Sequence, residues 1–409
     1  MHQIALALKN YGYGVHVICF NKKGNLEEDY FEGISIHRVK MRLFFKLRFY
    51  AEENIEHWYG KAIYRVAMLL NKIKKILYLP FYPLTSPIVA LRYFSKANEL
   101  MKKQNFNMVI SVYNPLETLI AGAMIKRRNK DIKFGMYVLD TLTNGAKRNF
   151  IPKKWTEKKG WQWEQRLYKI SDIIFNMKCH ETHHEQERYD KYRDKMQIVD
   201  IPLFIDTDII AGDMEDYDEF DPDILHWVYT GALSHTGRNP KYVCEIFTAI
   251  NGHCPMKLHF YSRGDCESLI KSYEELSGKS ILRHGYVDKP EATNAISNAK
   301  VLISIGNQDS DMIPSKIFEY MSTGKKIIHF YTRENDSCIE YYNRYPNALL
   351  VNESKDFNDN KKQILDFLLK PESEKIDLNK CFKKNTPNYT VELIDRLVSD
   401  GSGKERKYV

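Results

Sequence analysis

"DMIPSKIFEYMSTGKKIIHF" occupies residues 311–330 and reads as a short helix running into a strand. Pro314 suits the first helical position, where its fixed φ fits and its absent N–H is not missed. With that start, the amides of Ser315, Lys316 and Ile317 fall outside the helix ladder and form a site that attracts anions. Ser315 adds a hydroxyl and Lys316 an ammonium. Glu319 follows them by four and three residues, on the same helical face. A carboxylate beside bound phosphate is repulsive unless it accepts hydrogen bonds from hydroxyls, which sugars supply. Ile313, Ile317 and Met321 mark the core side, and Gly324 closes the helix. Taken alone, the stretch equally describes a capped helix whose Lys316 and Glu319 form an ordinary surface pair.

The surroundings repeat one pattern. Upstream run "ILHWVYTG" (224–231), "MKLHFYS" (256–262), "SILRHGYV" (280–287) and "KVLISIG" (300–306), each followed by a helical segment. A first series, "NMVISVYNP" (107–115), "KFGMYVLD" (133–140) and "DIIFNMK" (172–178), precedes Pro202 and the acidic "GDMEDYDEFDPD" (212–223). Apolar strands alternating with helices predict parallel sheets covered on both faces. The expected architecture is therefore α/β, with two doubly wound units and a ligand cleft at the carboxyl ends of their strands. The expected segments are 1–201, a linker 202–223, 224–375, and 376–409 as a final helix with a mobile tail. "HQIALALKNYGYGVHVICF" (2–20) starts with a helix and then a strand, so the first strand of a βαβ unit is expected to be missing.

Composition narrows the class. Over 409 residues, 43% hydrophobic and 28% charged fractions are those of a globular protein. Seven scattered cysteines form no disulfide framework and favour a reducing, cytoplasmic compartment. No leader and no apolar run of membrane-spanning length is evident. The net charge of +8 is uneven, since residues 38–104 hold 14 Lys/Arg against 4 Asp/Glu. Within that region, "KMRLFFKLRFY" (40–50) and "YRVAMLLNKIKKILYLPFY" (64–82) interleave cations with apolar and aromatic residues. Such stretches suit the inner, anionic face of a membrane, and they equally suit the solvated face of a helical layer. No nucleic-acid-binding pattern accompanies the charge, so nucleic acid is not an expected partner.

With the strands in series, the sequence resembles the retaining glycosyltransferases of the GT-B fold, specifically family 4 (glycosyl transferases group 1). The family pattern is two acids separated by seven residues and then a Gly-Lys-Pro turn into a strand. Here Asp311 and Glu319 are followed by "GKKII", with Asp in place of the usual first Glu and Lys326 in place of proline. "VYTGALSHTGRNP" (228–240), "HGYV" (284–287) and "NAKVLISIG" line up in family order, so the resemblance covers most of the chain.

The resemblance implies transfer of a sugar from a nucleoside-diphosphate sugar, with no cofactor and no metal. Glu319 would hold the ribose, Asp311 the transferred sugar, and Arg238, Lys316, Ser315, Ile317 and Lys241 the diphosphate. Val287 would lie beside the base. Asp140, ending "YVLD", is the candidate for orienting or deprotonating the acceptor hydroxyl, and it equally suits a turn aspartate. Asn114 is a candidate for the same cleft wall. The implied acceptor is a glycan or lipid-linked sugar of surface polysaccharide assembly. Two other readings stay open: a GT-B protein that binds nucleotide sugar without catalysis, and a zinc protease suggested by "HETHH" (180–184), which satisfies HExxH but lacks an evident third ligand.

Overall fold

Alternation of apolar strands with amphipathic helices builds two compact units, Met1–Pro202 with Pro387–Val409, and Leu203–Thr386. The computed structural model describes residues 1–21, 26–143, 151–200, 220–308, 313–371 and 376–399.

The first unit opens with α1 (His2–Asn10), which buries Ile4, Ala7 and Leu8. There follow β1 (His16–Phe20), β2 (Glu28–Phe31) and β3 (Ile34–Val39), then the helices α2 (Leu43–Glu53), α3 (Trp58–Leu77) and α4 (Pro87–Lys103). The rest is β4 (Met108–Tyr113), α5 (Leu116–Arg128), β5 (Lys133–Val138), α6 (Lys153–Ile170), β6 (Ile173–Met177), α7 (Glu181–His184) and β7 (Met196–Val199). The strands form two sheets, of order β1-β3-β2 and β4-β5-β6-β7. The second is wholly parallel. In the first, β1 pairs parallel with β3 while β2 pairs antiparallel with it. Among the described residues no strand pairs with both β1 and β4.

The second unit alternates β8 (Leu225–Leu233), α8 (Lys241–Ile250), β9 (Met256–Gly264), α9 (Glu267–Leu276), β10 (Ile281–Arg283), α10 (Lys289–Asn298) and β11 (Val301–Ile305). It continues with α11 (Lys316–Met321), β12 (Lys326–Tyr331), α12 (Ile339–Tyr342), β13 (Ala348–Asn352), α13 (Phe357–Leu369) and α14 (Leu378–Phe382). Six parallel strands take the order β10-β9-β8-β11-β12-β13. All five residues of β11 are buried, as a strand covered on both faces requires. α8 packs Val243, Phe247 and Ile250 against Trp227, Leu258 and Phe260.

Two expectations are corrected. The strand expected over 280–287 ends at Arg283, because the chain turns at Gly285 with φ +74°. The final helix, α15 (Pro387–Ser399), does not stand apart: it belongs to the first unit, where Val391, Ile394 and Val398 join the core of α1. Tyr13 Oη, in the turn after α1, donates to Asp395 Oδ1 of α15 at 2.5 Å.

Candidate functional site

In the second unit the chain leaves β8 towards β9 and leaves β11 towards β12, so the sheet reverses direction between β8 and β11. Loops diverge at such a point and open a crevice beyond the carboxyl ends of the strands. The loop after β8 is braced internally: Ser234 N–H donates to the Arg238 carbonyl at 3.0 Å, and Gly237 N–H to Ser234 Oγ at 2.9 Å. It is also tied to the loop after β11, since Gln308 N–H donates to the Gly237 carbonyl at 3.0 Å. The Arg238 Nε–H donates to Asn307 Oδ1 at 2.9 Å. The guanidinium is thereby fixed at the point of reversal. Beneath it Tyr229 is buried, which pushes its hydroxyl up to about 12 against the lowering effect of Arg238.

α11 follows β11 and is anchored to β8 through Tyr320, whose hydroxyl accepts from Thr230 N–H at 2.8 Å. Its first helical residue is Lys316 rather than Pro314, with Ser315 at the cap. Ile317 N–H donates to the Pro314 carbonyl at 3.3 Å, so its amide is not the open donor expected of it, and its side chain is buried in the core. Lys316 Nζ and Glu319 Oε2 form an ion pair at 2.9 Å. Asp311 lies outside the described residues.

In the first unit, Asn114 and Asp140 are exposed just beyond the neighbouring ends of β4 and β5, where Leu139 N–H donates to the Tyr113 carbonyl at 3.3 Å. Asp140 Oδ1 accepts from Thr141 N–H at 2.8 Å. His180, from the turn after β6, brings Nε2 to 3.6 Å from the same oxygen. Three successive strands thus contribute Asn114, Asp140 and His180 to one rim. Behind it lies Glu164 of α6, fully buried, which accepts from Thr143 N–H at 3.1 Å, Thr143 Oγ1 at 2.6 Å and the Tyr189 hydroxyl at 2.7 Å. Burial raises its carboxyl above the ordinary range despite these donors. α6 approaches this loop closely, for a Cβ on Gly160 would meet the Leu142 carbonyl oxygen at 2.2 Å.

No family model matches the chain, and no curated protein matches it by sequence. Among solved structures it is similar to apo OtsA, with TM-score 0.56 and 10% identity over 98% of this chain and 96% of that one. It is also similar to the N-terminal domain of trehalose-6-phosphate phosphatase from Candida albicans, with TM-score 0.54 and 14% identity over 90% and 84% of the two chains. The fold is GT-B.

Other expected residues occupy less central places on this GT-B chain. Lys241 opens α8, with its side chain 61% exposed and 3.7 Å from Glu245, as an ordinary helix-surface pair. Val287 is half-buried in the turn after β10, beside an exposed Tyr286 whose ring lies 5.6 Å from the Arg263 guanidinium.

"HETHH" does not form a zinc face. Its helix is four residues long, His180 turns to Asp140, and His183 Nε2 lies 2.7 Å from the Tyr189 hydroxyl. Because that hydroxyl donates to Glu164, His183 carries its hydrogen on Nε2. Sequence reasoning missed His180 as a rim residue; its signal was its position three residues past an apolar strand. Among the described residues, His329, Asp336 and Cys338 lie close enough to share a cation, as do His235, Asp265 and Cys266. The first group is buried and already bonded, since Ser304 Oγ lies 2.9 Å from His329 Nδ1 and Asp336 accepts from Cys338 N–H at 2.7 Å. Burial would raise the Asp336 carboxyl, but His329 and the Cys338 amide bring it net below the usual range.

Proposed function

We propose that the chain is a retaining glycosyltransferase that moves a sugar from a nucleoside-diphosphate sugar to a lipid-linked or polysaccharide acceptor. The observation that carries this reading is Arg238, locked by Asn307 at the reversal point of a six-stranded parallel sheet. As the anomeric C–O bond breaks, negative charge grows on the leaving diphosphate, and a preorganised guanidinium at that place stabilises it. In the bound state Lys316 exchanges its ion pair for the diphosphate, which frees Glu319 to accept from the ribose hydroxyls. Asp311 holds hydroxyls of the transferred sugar. Asp140, steadied by Thr141 and facing His180, orients the acceptor hydroxyl and takes its proton as the new glycosidic bond forms.

The membrane is the proposed meeting place with the acceptor. α3 buries only Gly60 and Ala67, leaving an exposed stripe of Val66, Leu69, Leu70, Ile73, Ile76 and Leu77 beside Lys72 and Lys75. That composition fits an anionic lipid surface. No described helix is long and apolar enough to cross a membrane.

A thermal-shift panel of nucleotide sugars, followed by a hydrolysis and transfer assay, tests the donor reading. One donor should raise Tm and turn over. Arg238→Ala should weaken its binding at least about tenfold, the loss of one charge-assisted contact, and Glu319→Ala should abolish turnover. Stabilisation without turnover would fit a non-catalytic binding partner instead, and no response to any donor would overturn both readings.

A further inference from the structure

His329 of β12 is wholly buried, and its two ring nitrogens have different surroundings. Nδ1 lies 2.9 Å from Ser304 Oγ of β11. Nε2 makes no hydrogen bond, although Asp336 Oδ1 stands 3.5 Å away. Asp336 and Cys338, in the segment between β12 and α12, are buried as well. The Asp336 carboxylate presses against the end of β11, where a Cβ on Gly306 would meet its Oδ2 at 2.3 Å. Its Oδ1 accepts from Cys338 N–H at 2.7 Å. One ligand atom from each of His329, Asp336 and Cys338 lies within 4.8 Å of the other two. A buried imidazole nitrogen without a hydrogen bond is costly, and native cores seldom keep one unless a water or an ion meets it.

We propose that His329 Nε2, a carboxylate oxygen of Asp336 and Cys338 Sγ bind a zinc ion. Spacing separates this from a simple ion pair. Two ligands each about 2.0–2.1 Å from a tetrahedral zinc stand roughly 3.3 Å apart, whereas a charge-assisted hydrogen bond is about 2.7–2.9 Å long. The 3.5 Å between Nε2 and Oδ1 matches the first. A set of imidazole, carboxylate and thiol suits zinc, while calcium and magnesium take oxygen ligands. On ligation the Cys338 thiol gives its proton to solvent, and zinc with one thiolate, one carboxylate and one neutral imidazole is uncharged, as burial favours. Water completes the tetrahedron. The surrounding bonds orient the ligands: Ser304 Oγ takes the Nδ1 hydrogen, which leaves Nε2 its lone pair, and the Cys338 amide holds Asp336. The other His-Asp-Cys group differs, because His235 and Asp265 are exposed and water satisfies them without a metal. Cys338 caps α12, which buries Tyr341 and Tyr342, so the ion ties that helix to the sheet. It is a structural brace, independent of the donor reading.

Metal analysis and Co(II) titration of the full chain test the site. Cys266→Ser serves as the background, so that the exposed group contributes no thiolate. Produced with zinc and dialysed against zinc-free buffer, this chain should keep a single zinc ion. Stripped by a chelator, it should bind Co(II) with a thiolate-to-metal charge-transfer band in the near ultraviolet, and zinc should raise its Tm. Adding Cys338→Ser should abolish the band and weaken zinc binding at least about a hundredfold, whereas Ser304→Ala should weaken it about tenfold and keep the band. Loss of zinc on dialysis, no thiolate band, or a band that survives Cys338→Ser overturns the proposal. Should Cys338→Ser fail to fold, zinc-edge X-ray absorption on the Cys266→Ser chain decides: one sulfur at about 2.3 Å supports the site, and a shell of nitrogen and oxygen alone overturns it.

Discussion

Glu164 shows how a single buried residue shapes the rim without reaching it. Its carboxyl gathers the Thr143 amide, the Thr143 hydroxyl and the Tyr189 hydroxyl, so truncation strands three donors in the interior. Glu164→Ala should cost roughly 2–4 kcal/mol in urea unfolding, and Glu164→Gln less, because the remaining amide oxygen still accepts. Gly160→Ala should also destabilise, since the new methyl meets the Leu142 carbonyl. Neither position was legible in the sequence, where a glutamate and a glycine in a charged helix look like surface residues. Arg238 was legible because it sits in a loop between an apolar strand and a helix, in register with a recognisable motif. Its partner Asn307 was not, for nothing local distinguishes an asparagine that reaches across 69 positions.

Two adjacent lysines at the start of β12 do work at the scale of elements. Lys325 Nζ donates to the carbonyls of Ser297 and Ala299 at the end of α10. Lys326 Nζ donates to the carbonyls of Leu368 and Lys370 at the end of α13, the first at 2.7 Å. Each ammonium thus satisfies orphan carbonyls and meets the negative end of a helix dipole. Lys326 is 8% exposed, so this lysine is a structural cross-tie rather than a surface residue. Lys326→Met should lower stability by about 1.5–3 kcal/mol, read from denaturant midpoints. α3 presents the opposite case, an element defined by what it leaves uncovered. The parent should sediment with vesicles containing phosphatidylglycerol and not with pure phosphatidylcholine. Replacing Leu69, Leu70 and Ile73 by Ser should reduce that binding at least tenfold while Tm stays unchanged, because those side chains are 45–58% exposed. The helices and strands themselves were largely legible from periodicity, whereas the β2–β3 pair was not: all four residues of β2 are exposed, so no apolar alternation marks it.

Histidines set the response of the whole molecule to acid. Burial lowers His183 to about 4, His184 to about 3 and His259 to about 3, and also lowers His16 and His37. His259 sits in a chain of imidazoles: its Nε2 is 2.9 Å from His226 Nδ1 and its Nδ1 is 3.0 Å from His284 Nε2. His226 Nε2 faces the Asp221 carbonyl at 3.1 Å. A carbonyl only accepts, so with neutral rings every link donates from Nε2. Below about pH 6.5 the unfolded chain takes up protons that these rings refuse, and stability falls by up to about 1.4 kcal/mol per pH unit for each. Two carboxyls oppose this. Burial raises Glu164, and burial with Glu245 raises Glu353 to about 7, so the folded state binds their protons first. The histidines are more numerous, and urea midpoints should therefore decline from pH 7 to pH 5; a flat profile would contradict the assignment.

At this scale the sequence announced two α/β units, but not the destination of the last helix. α15 looks from its sequence like any terminal amphipathic helix, and only the complementary faces of α1 and α15 send it back to the first unit. The polypeptide therefore passes between the units twice, near Pro202 and again near Pro387. A cut at the second passage strips a wall from the N-terminal core, and a fragment ending near residue 200 begins life with that wall already gone. The second unit is one continuous piece of chain, whereas the first is assembled from two and cannot be excised as a single segment.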